Sequence, residues 1–213
     1  ASLLAKEGLK VLVLEALGRV GGCGSNYDCG GFRPDVGAVF VIMKDLYNNY
    51  FELVERRIED YIDFKLLDPV YDIVLEGGER YLLPKDFEAM ADVVRTINPA
   101  DLDGYHRYCK DMKKIWDQQT AAFSLPMPPL KDVYSIKTLT RMIFNRKMVP
   151  AMPVITRMAS RNMDTVIKSY FKDDRLQLIF GWENLYAALP VHRANGLFSM
   201  FTYLGHEGYY YPK

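Results

Sequence analysis

The sequence predicts an α/β fold in two unequal parts, and three observations carry that expectation. A helical stretch stopped by Gly8 leads into the continuous apolar run Val11-Leu12-Val13-Leu14. Residues 64–84 hold three segments rich in β-branched and aromatic residues, with Gly77-Gly78 as a hairpin turn signal. From Lys85 onward apolar residues recur mostly at helical spacing.

At the amino terminus, Leu3, Leu4 and Ala5 read as the last turns of a helix with glycine at C′. The run 11–14 closes with Glu15 and suits a parallel strand buried on both faces. Helix, glycine, strand and terminal acid make the second half of a βαβ unit. In dinucleotide-binding units of that kind, the acid ending the second strand accepts hydrogen bonds from ribose hydroxyls. A carboxylate only accepts, so it matches two O–H donors. Glu15 holds that place, although a solvated strand end explains one acid equally well. The glycine-rich turn opening such a unit would lie before Ala1, so a truncated unit is expected.

The stretch Gly18-Arg19-Val20-Gly21-Gly22-Cys23-Gly24-Ser25 gives a backbone free to adopt positive φ and approach a ligand closely. Arg19 offers a cation to a phosphate and Ser25 a hydroxyl. Residues 27–32 are expected to form a strand, and Asp35-Val36-Gly37 a tight turn.

Helices are predicted over 45–57, 87–97 and 101–122. The second of these ends at Asn98-Pro99. The third carries Leu102, Tyr105, Tyr108, Cys109, Met112 and Trp116 on one stripe, with His106 expected at the surface. Asp173-Asp174 starts a further helix with 176–182 buried, and 194–204 forms another. Tyr209-Tyr210-Tyr211 reads either as an aromatic strand in a core or as the lining of an apolar cavity.

Charge and cysteine content narrow the function classes. Twenty-seven basic residues balance 27 acidic ones, so no global field attracts nucleic acid. Three cysteines without ligand spacing argue against a disulfide scaffold or a zinc site and suit a reducing compartment. No signal peptide or membrane-spanning run stands out. Residues 131–161 hold seven basic residues against one acid, interleaved with methionine and isoleucine. That mixture fits either an interfacial membrane helix or the basic face of a packed one, interrupted by Pro150 and Pro153.

Taken in order, the strand, Glu15, Arg19-Val20-Gly21-Gly22, Ser25 and Asp35-x-Gly37 resemble the segment following the glycine-rich loop in flavoproteins of the amine-oxidase and phytoene-desaturase superfamily. The hairpin from Asp68-Pro69-x-Tyr71 to Leu83 resembles the start of that family's substrate domain. Arg175-Leu176-x-x-x-Phe180, Pro190, 194–203 and Tyr211-Pro212 follow its later order. The resemblance implies a truncated Rossmann-like FAD-binding domain over 1–60. A substrate domain of β-hairpin and helices follows over 61–213, mainly helical after 85. It implies FAD held by Glu15, Arg19, Gly21, Gly22, Ser25, Asp35 and Gly37, with Tyr209 and Tyr211 lining the substrate site.

The implied reaction is hydride transfer between an isoprenoid or carotenoid-like carbon and the flavin, in a cytoplasmic protein peripheral to the membrane through 131–161. Cys23 stands where the family has arginine. No catalytic acid, base or metal ligand is implied, and the chain alone is expected to be inactive. Another flavoenzyme reaction of the superfamily, or a non-catalytic membrane-associated scaffold, are the alternatives. The flavoprotein assignment depends on Glu15 ending a strand with a parallel neighbour and lying near the Gly21-Gly22 bend.

Overall fold

A computed structural model describes residues 1–35, 37, 40–123 and 151–213. Within it, 1–70 together with 207–213 form one unit, and 71–206 form a second.

In the first unit, α1 (Ser2–Lys6) ends with Gly8 at φ 80°, the left-handed stop that the sequence predicts. Lys6 Nζ donates to Leu53 O at 2.6 Å and pairs with Glu55 at 3.0 Å, fastening α1 to α2 (Lys44–Leu53). Helix α2 is shorter than the expected 45–57. Glu55 takes φ 57°, Arg56 N donates to Phe51 O and Glu55 N to Glu52 O, a Schellman stop made without glycine.

The run 11–14 is not a strand. Leu12 and Leu14 are 81% and 85% exposed, and the described sheets are both antiparallel pairs. A strand apolar on both faces needs neighbours at both edges, and the described residues place none beside it. Glu15 therefore ends a segment outside any described strand. Residues 27–32 also depart from expectation. Cys29 and Phe32 bridge each other across Gly30 and Gly31, whose φ values of 65° and 91° make a two-residue hairpin loop.

Strand β1 (Phe64–Leu66) pairs antiparallel with β4 (Tyr210–Pro212), Lys65 facing Tyr211, and Val41 bridges Tyr210. Tyr209, just before β4, is buried with its ring stacked 4.5 Å from that of Phe40.

The second unit opens with β2 (Tyr71–Val74) and β3 (Arg80–Leu83), the predicted hairpin, in register from Tyr71–Leu83 to Val74–Arg80. Asp86 caps α3 (Phe87–Ile97) by accepting from Glu88 N and Ala89 N, and Met90, Ala91, Val94 and Ile97 form its buried face. Helix α4 (Leu102–Phe123) buries Tyr105, Tyr108, Met112 and Ile115, while His106 is exposed as expected. Then come α5 (Met152–Ala159), α6 (Met163–Lys168), α7 (Asp174–Gly181) and α8 (Phe201–Glu207). Asp173 caps α7 where the sequence places its start.

The helix expected over 194–204 is instead a 3-10 turn, Gly196–Met200, running into α8. Asn195 caps that turn through Leu197 N, and a Cβ on Gly196 would lie 2.4 Å from Met158 O, so the chain enters too close to α5 for a wider helix. Of the basic stretch 131–161, residues 131–150 lie outside the described residues.

An aromatic cluster centres this unit: Phe171 and Phe180 stack at 4.3 Å, and Tyr108 meets Phe180 edge-on at 5.0 Å. Three contacts fix the elements around it. The buried Asp101 carboxylate accepts from Lys172 N, Asp173 N and Asn98 Nδ2 at 2.8–3.1 Å, joining the start of α4 to the turn before α7. Arg175 donates to Asp173, to Glu79 in the hairpin and to Ile97 O at the end of α3. Arg157 of α5 and the Tyr170 hydroxyl both donate to Asp111 of α4, holding its carboxyl below the usual range although burial pushes the other way.

His206 is buried in the last turn of α8. Its Nδ1 lies 2.6 Å from Lys85 O, its Nε2 lies 3.3 Å from Tyr105 Oη, and its ring stacks on Phe87 at 4.1 Å. Burial lowers its pKa below 6.5, against the smaller opposing effect of the bond to Lys85 O.

Two predictions follow from this packing. A Cβ at Gly104 would sit 1.9 Å from the backbone oxygen of Tyr170, so Gly104→Ala should cost about 3 kcal/mol in urea unfolding by forcing α4 off the turn. For His206, the unfolded state binds more protons in the window below pH 6.5, so its contribution is complete above 6.5 and is lost as pH falls through the lowered folded value. Stability should fall there with a slope of up to about 1.4 kcal/mol per pH unit, and His206→Gln should flatten that slope.

Candidate cofactor site

The cofactor residues named from the sequence lie in the first unit, between the exposed run 11–14 and α2. Glu15 is exposed, and its Oε1 accepts from Leu17 N at 2.9 Å, a local turn that engages one of its two carboxylate oxygens. Arg19 is turned toward the hairpin: Nη1 donates to Asn26 O at 3.0 Å and the guanidinium lies 5.5 Å over the Tyr27 ring.

The glycine bend has a defined shape. Gly21 and Gly22 take φ values of 110° and 53°, and a single 3-10 turn, Gly22–Gly24, follows. The N–H groups of Gly24 and Ser25 close onto the carbonyls of Gly21 and Gly22. Ser25 is buried under the bend. A Cβ on Gly21 would lie 3.2 Å from Ser25, whereas one on Gly22 would meet nothing within 4 Å. One face of the bend is packed on its own chain and the other is open for a ligand to approach the backbone.

Asn26 and Asp35 bridge each other at the base of the hairpin, so Asp35 is brought back beside the chain leaving the bend. Asp28 Oδ1 accepts from Gly31 N and shapes the loop. Gly37 is an exposed bend, and Val36 lies outside the described residues. The structure thus gathers Ser25, Asp35 and the glycine bend around one hairpin, and Arg19 joins them through Asn26. The sequence reading missed Asn26 and Asp28. Asp28-Cys29-Gly30-Gly31, read as a turn and not as a strand, is the signal that finds them.

The two tyrosines named for substrate differ. Tyr209 is 2% exposed against Phe40, and Tyr211 is 40% exposed in β4. Lys44 Nζ lies 5.4 Å and 5.7 Å over the rings of Phe64 and Tyr210, a cation–π pair that the sequence did not reveal. Among the described residues, no group of three or more His, Cys, Asp and Glu is placed to hold a metal ion.

An exposed acid, an open glycine backbone and a hydroxyl beneath it suit a ligand carrying sugar hydroxyls and phosphates. The model of the flavin containing amine oxidoreductase family matches residues 1–159, and the chain belongs to that family. It is also similar to two named relatives. It is 26% identical over 212 residues to a 4,4'-diapophytoene desaturase (4,4'-diapolycopene-forming) of Methylomonas sp, covering 99% of this chain and 39% of that protein. It is 23% identical over 201 residues to a 4,4'-diapophytoene desaturase (4,4'-diaponeurosporene-forming) of Staphylococcus aureus (strain COL), covering 94% of this chain and 38% of that protein. The chain therefore spans well under half the length of these relatives, and its phytoene-desaturase resemblance agrees with their names.

The bend supplies a prediction of its own. Gly21→Ala places a side chain at φ 110° and crowds Ser25, so it should destabilise the first unit by about 1–3 kcal/mol. Gly22→Ala meets no neighbour and should cost only the left-handed backbone strain at φ 53°, about 1 kcal/mol. Hydrogen exchange at 22–35 distinguishes the two.

Proposed function

We propose that this chain forms part of an FAD-dependent oxidoreductase acting on carbon–carbon bonds of an isoprenoid or carotenoid-like lipid. The observation that carries the reading is the similarity to diapophytoene desaturases along 99% of the chain. Support comes from the glycine bend, whose open face suits a dinucleotide backbone. Residues 1–60 would serve the cofactor and 61–213 the substrate. The run 11–14 would be a strand of a Rossmann-like sheet once neighbouring strands flank it, which accounts for an apolar segment that is otherwise exposed.

FAD, when bound, supplies a hydride acceptor, and the protein's task is to hold it and keep water away. Glu15 accepts the ribose hydroxyls through the carboxylate oxygen that Leu17 leaves unused. Gly21 and Gly22 let the backbone approach the cofactor, and Ser25 and Asp35 hold the bend and hairpin in register. Arg19, spent partly on Asn26 O, steadies the segment and adds positive potential near phosphate. Gly37 continues the same segment. Tyr209 and Tyr211 are proposed as apolar walls, with Tyr209 braced by Phe40. Peripheral contact with the membrane through 131–161 in a cytoplasmic protein belongs to the same proposal. Among the described residues no helix is long and apolar enough to cross a bilayer.

The test uses the complete product of the coding sequence. It should take up FAD stoichiometrically, and anaerobic addition of a phytoene-type hydrocarbon should bleach the flavin band. Glu15→Ala should weaken FAD binding by about tenfold or more, the loss expected for charge-assisted hydrogen bonds. Absence of flavin uptake would sink the proposal, and bleaching by amines but not by the hydrocarbon would redirect it to another reaction of the family.

A further inference from the structure

A cleft of about 560 Å³ opens in the second unit, where the start of α4 meets the turn before α7. Its lining includes Asp101, Asp103, His106, Arg107, Tyr170 and Lys172. Formal charges nearly cancel, so what the cleft attracts depends on which of them are already engaged.

Asp101 is engaged. It is 1% exposed, and its two oxygens take the backbone N–H groups of Lys172 and Asp173 and the Asn98 amide. Its charge is met by those donors on the side of the turn. The Tyr170 hydroxyl is engaged too, donating to Asp111.

Arg107 and Lys172 are not. Among the described residues neither side chain has a carboxylate within 4.0 Å, and no N–H of the Arg107 guanidinium reaches an acceptor. The guanidinium lies 6.0 Å over the Tyr170 ring, which steadies its plane while leaving its donors unfilled. His106 adds a nitrogen at the exposed rim. Asp103 is the opposing group: it stands four residues before Arg107 on α4, yet the two do not pair.

A planar fork and an ammonium carried by residues lining one concavity match a compact group with several acceptor oxygens and no donors. We propose that this cleft binds a phosphate group, presented either as a soluble phosphate or as a lipid headgroup. No residue is shared with the proposed flavin site, so the two readings stand or fall separately.

The complete product of the coding sequence is titrated calorimetrically with inorganic phosphate. It is also sedimented with vesicles of phosphatidylglycerol and, separately, of a galactolipid lacking phosphate. Saturable binding is expected in at least one phosphate-bearing arm. Lys172→Ala and Arg107→Ala should each weaken it about tenfold, and Asp103→Asn should tighten it about twofold. Binding of inorganic phosphate without vesicle binding identifies a soluble ligand. Binding of phosphatidylglycerol vesicles over galactolipid, competed by added phosphate, identifies a headgroup. All three exchanged side chains are exposed, and circular dichroism checks that each variant is folded. No phosphate uptake together with equal binding of both vesicles overturns the proposal, as does uptake unchanged in folded Lys172→Ala and Arg107→Ala.

Discussion

The second unit depends on a carboxylate placed where a charge is costly. Asp101 is all but inaccessible, and a buried anion is tolerated only when donors fill its lone pairs. Here the donors are backbone N–H groups from a turn seventy residues away, so solvating the charge and closing the tertiary structure are one event. The arrangement is compounded by its neighbours. Asp173, whose N–H is captured by Asp101, itself caps α7 and grips Arg175, which reaches on to the hairpin and to the end of α3. Gly104 completes the approach, since any larger residue would hold α4 away from the turn. With those backbones in place, the rings of Tyr108, Phe171 and Phe180 meet at centroid distances of 4.3–5.8 Å.

What the sequence made legible was mostly local. Asn98-Pro99 ends α3, Asp173 starts α7 and Gly77-Gly78 turns the hairpin, because each signal acts within a few residues of its effect. The pairing of β1 with β4 was not legible, since the partners lie far apart in sequence and short aromatic strands carry little register information. The stop at Glu55 was hidden because a residue with a side chain occupies the left-handed position usually given to glycine. In the candidate cofactor segment the order of motifs could be read, but not that Arg19 turns inward to Asn26 O or that Ser25 is covered by the bend.

The amino-terminal run teaches a different lesson. The flavoprotein assignment was tied to a parallel strand before Glu15, and the described residues contain no such pairing. Family membership holds nonetheless, because it rests on the amino-acid sequence of 1–159 and not on a ladder. Four consecutive apolar residues state a preference for burial between strands, but only neighbours realise it, and hydrophobic pattern alone cannot say where those neighbours come from.

The extended run also bears on how molecules of this chain meet one another. Among the described residues no strand pairs with its backbone, and unpaired backbone beside apolar side chains is a place where other chains can pair. Lys10 and Glu15 bracket the apolar residues with opposite charges. Parallel in-register stacking would set lysine on lysine and glutamate on glutamate, whereas antiparallel pairing of two copies sets each lysine against a glutamate. By their signs these flanking charges act as gatekeepers, opposing an in-register parallel stack of identical copies wherever the run is left uncovered.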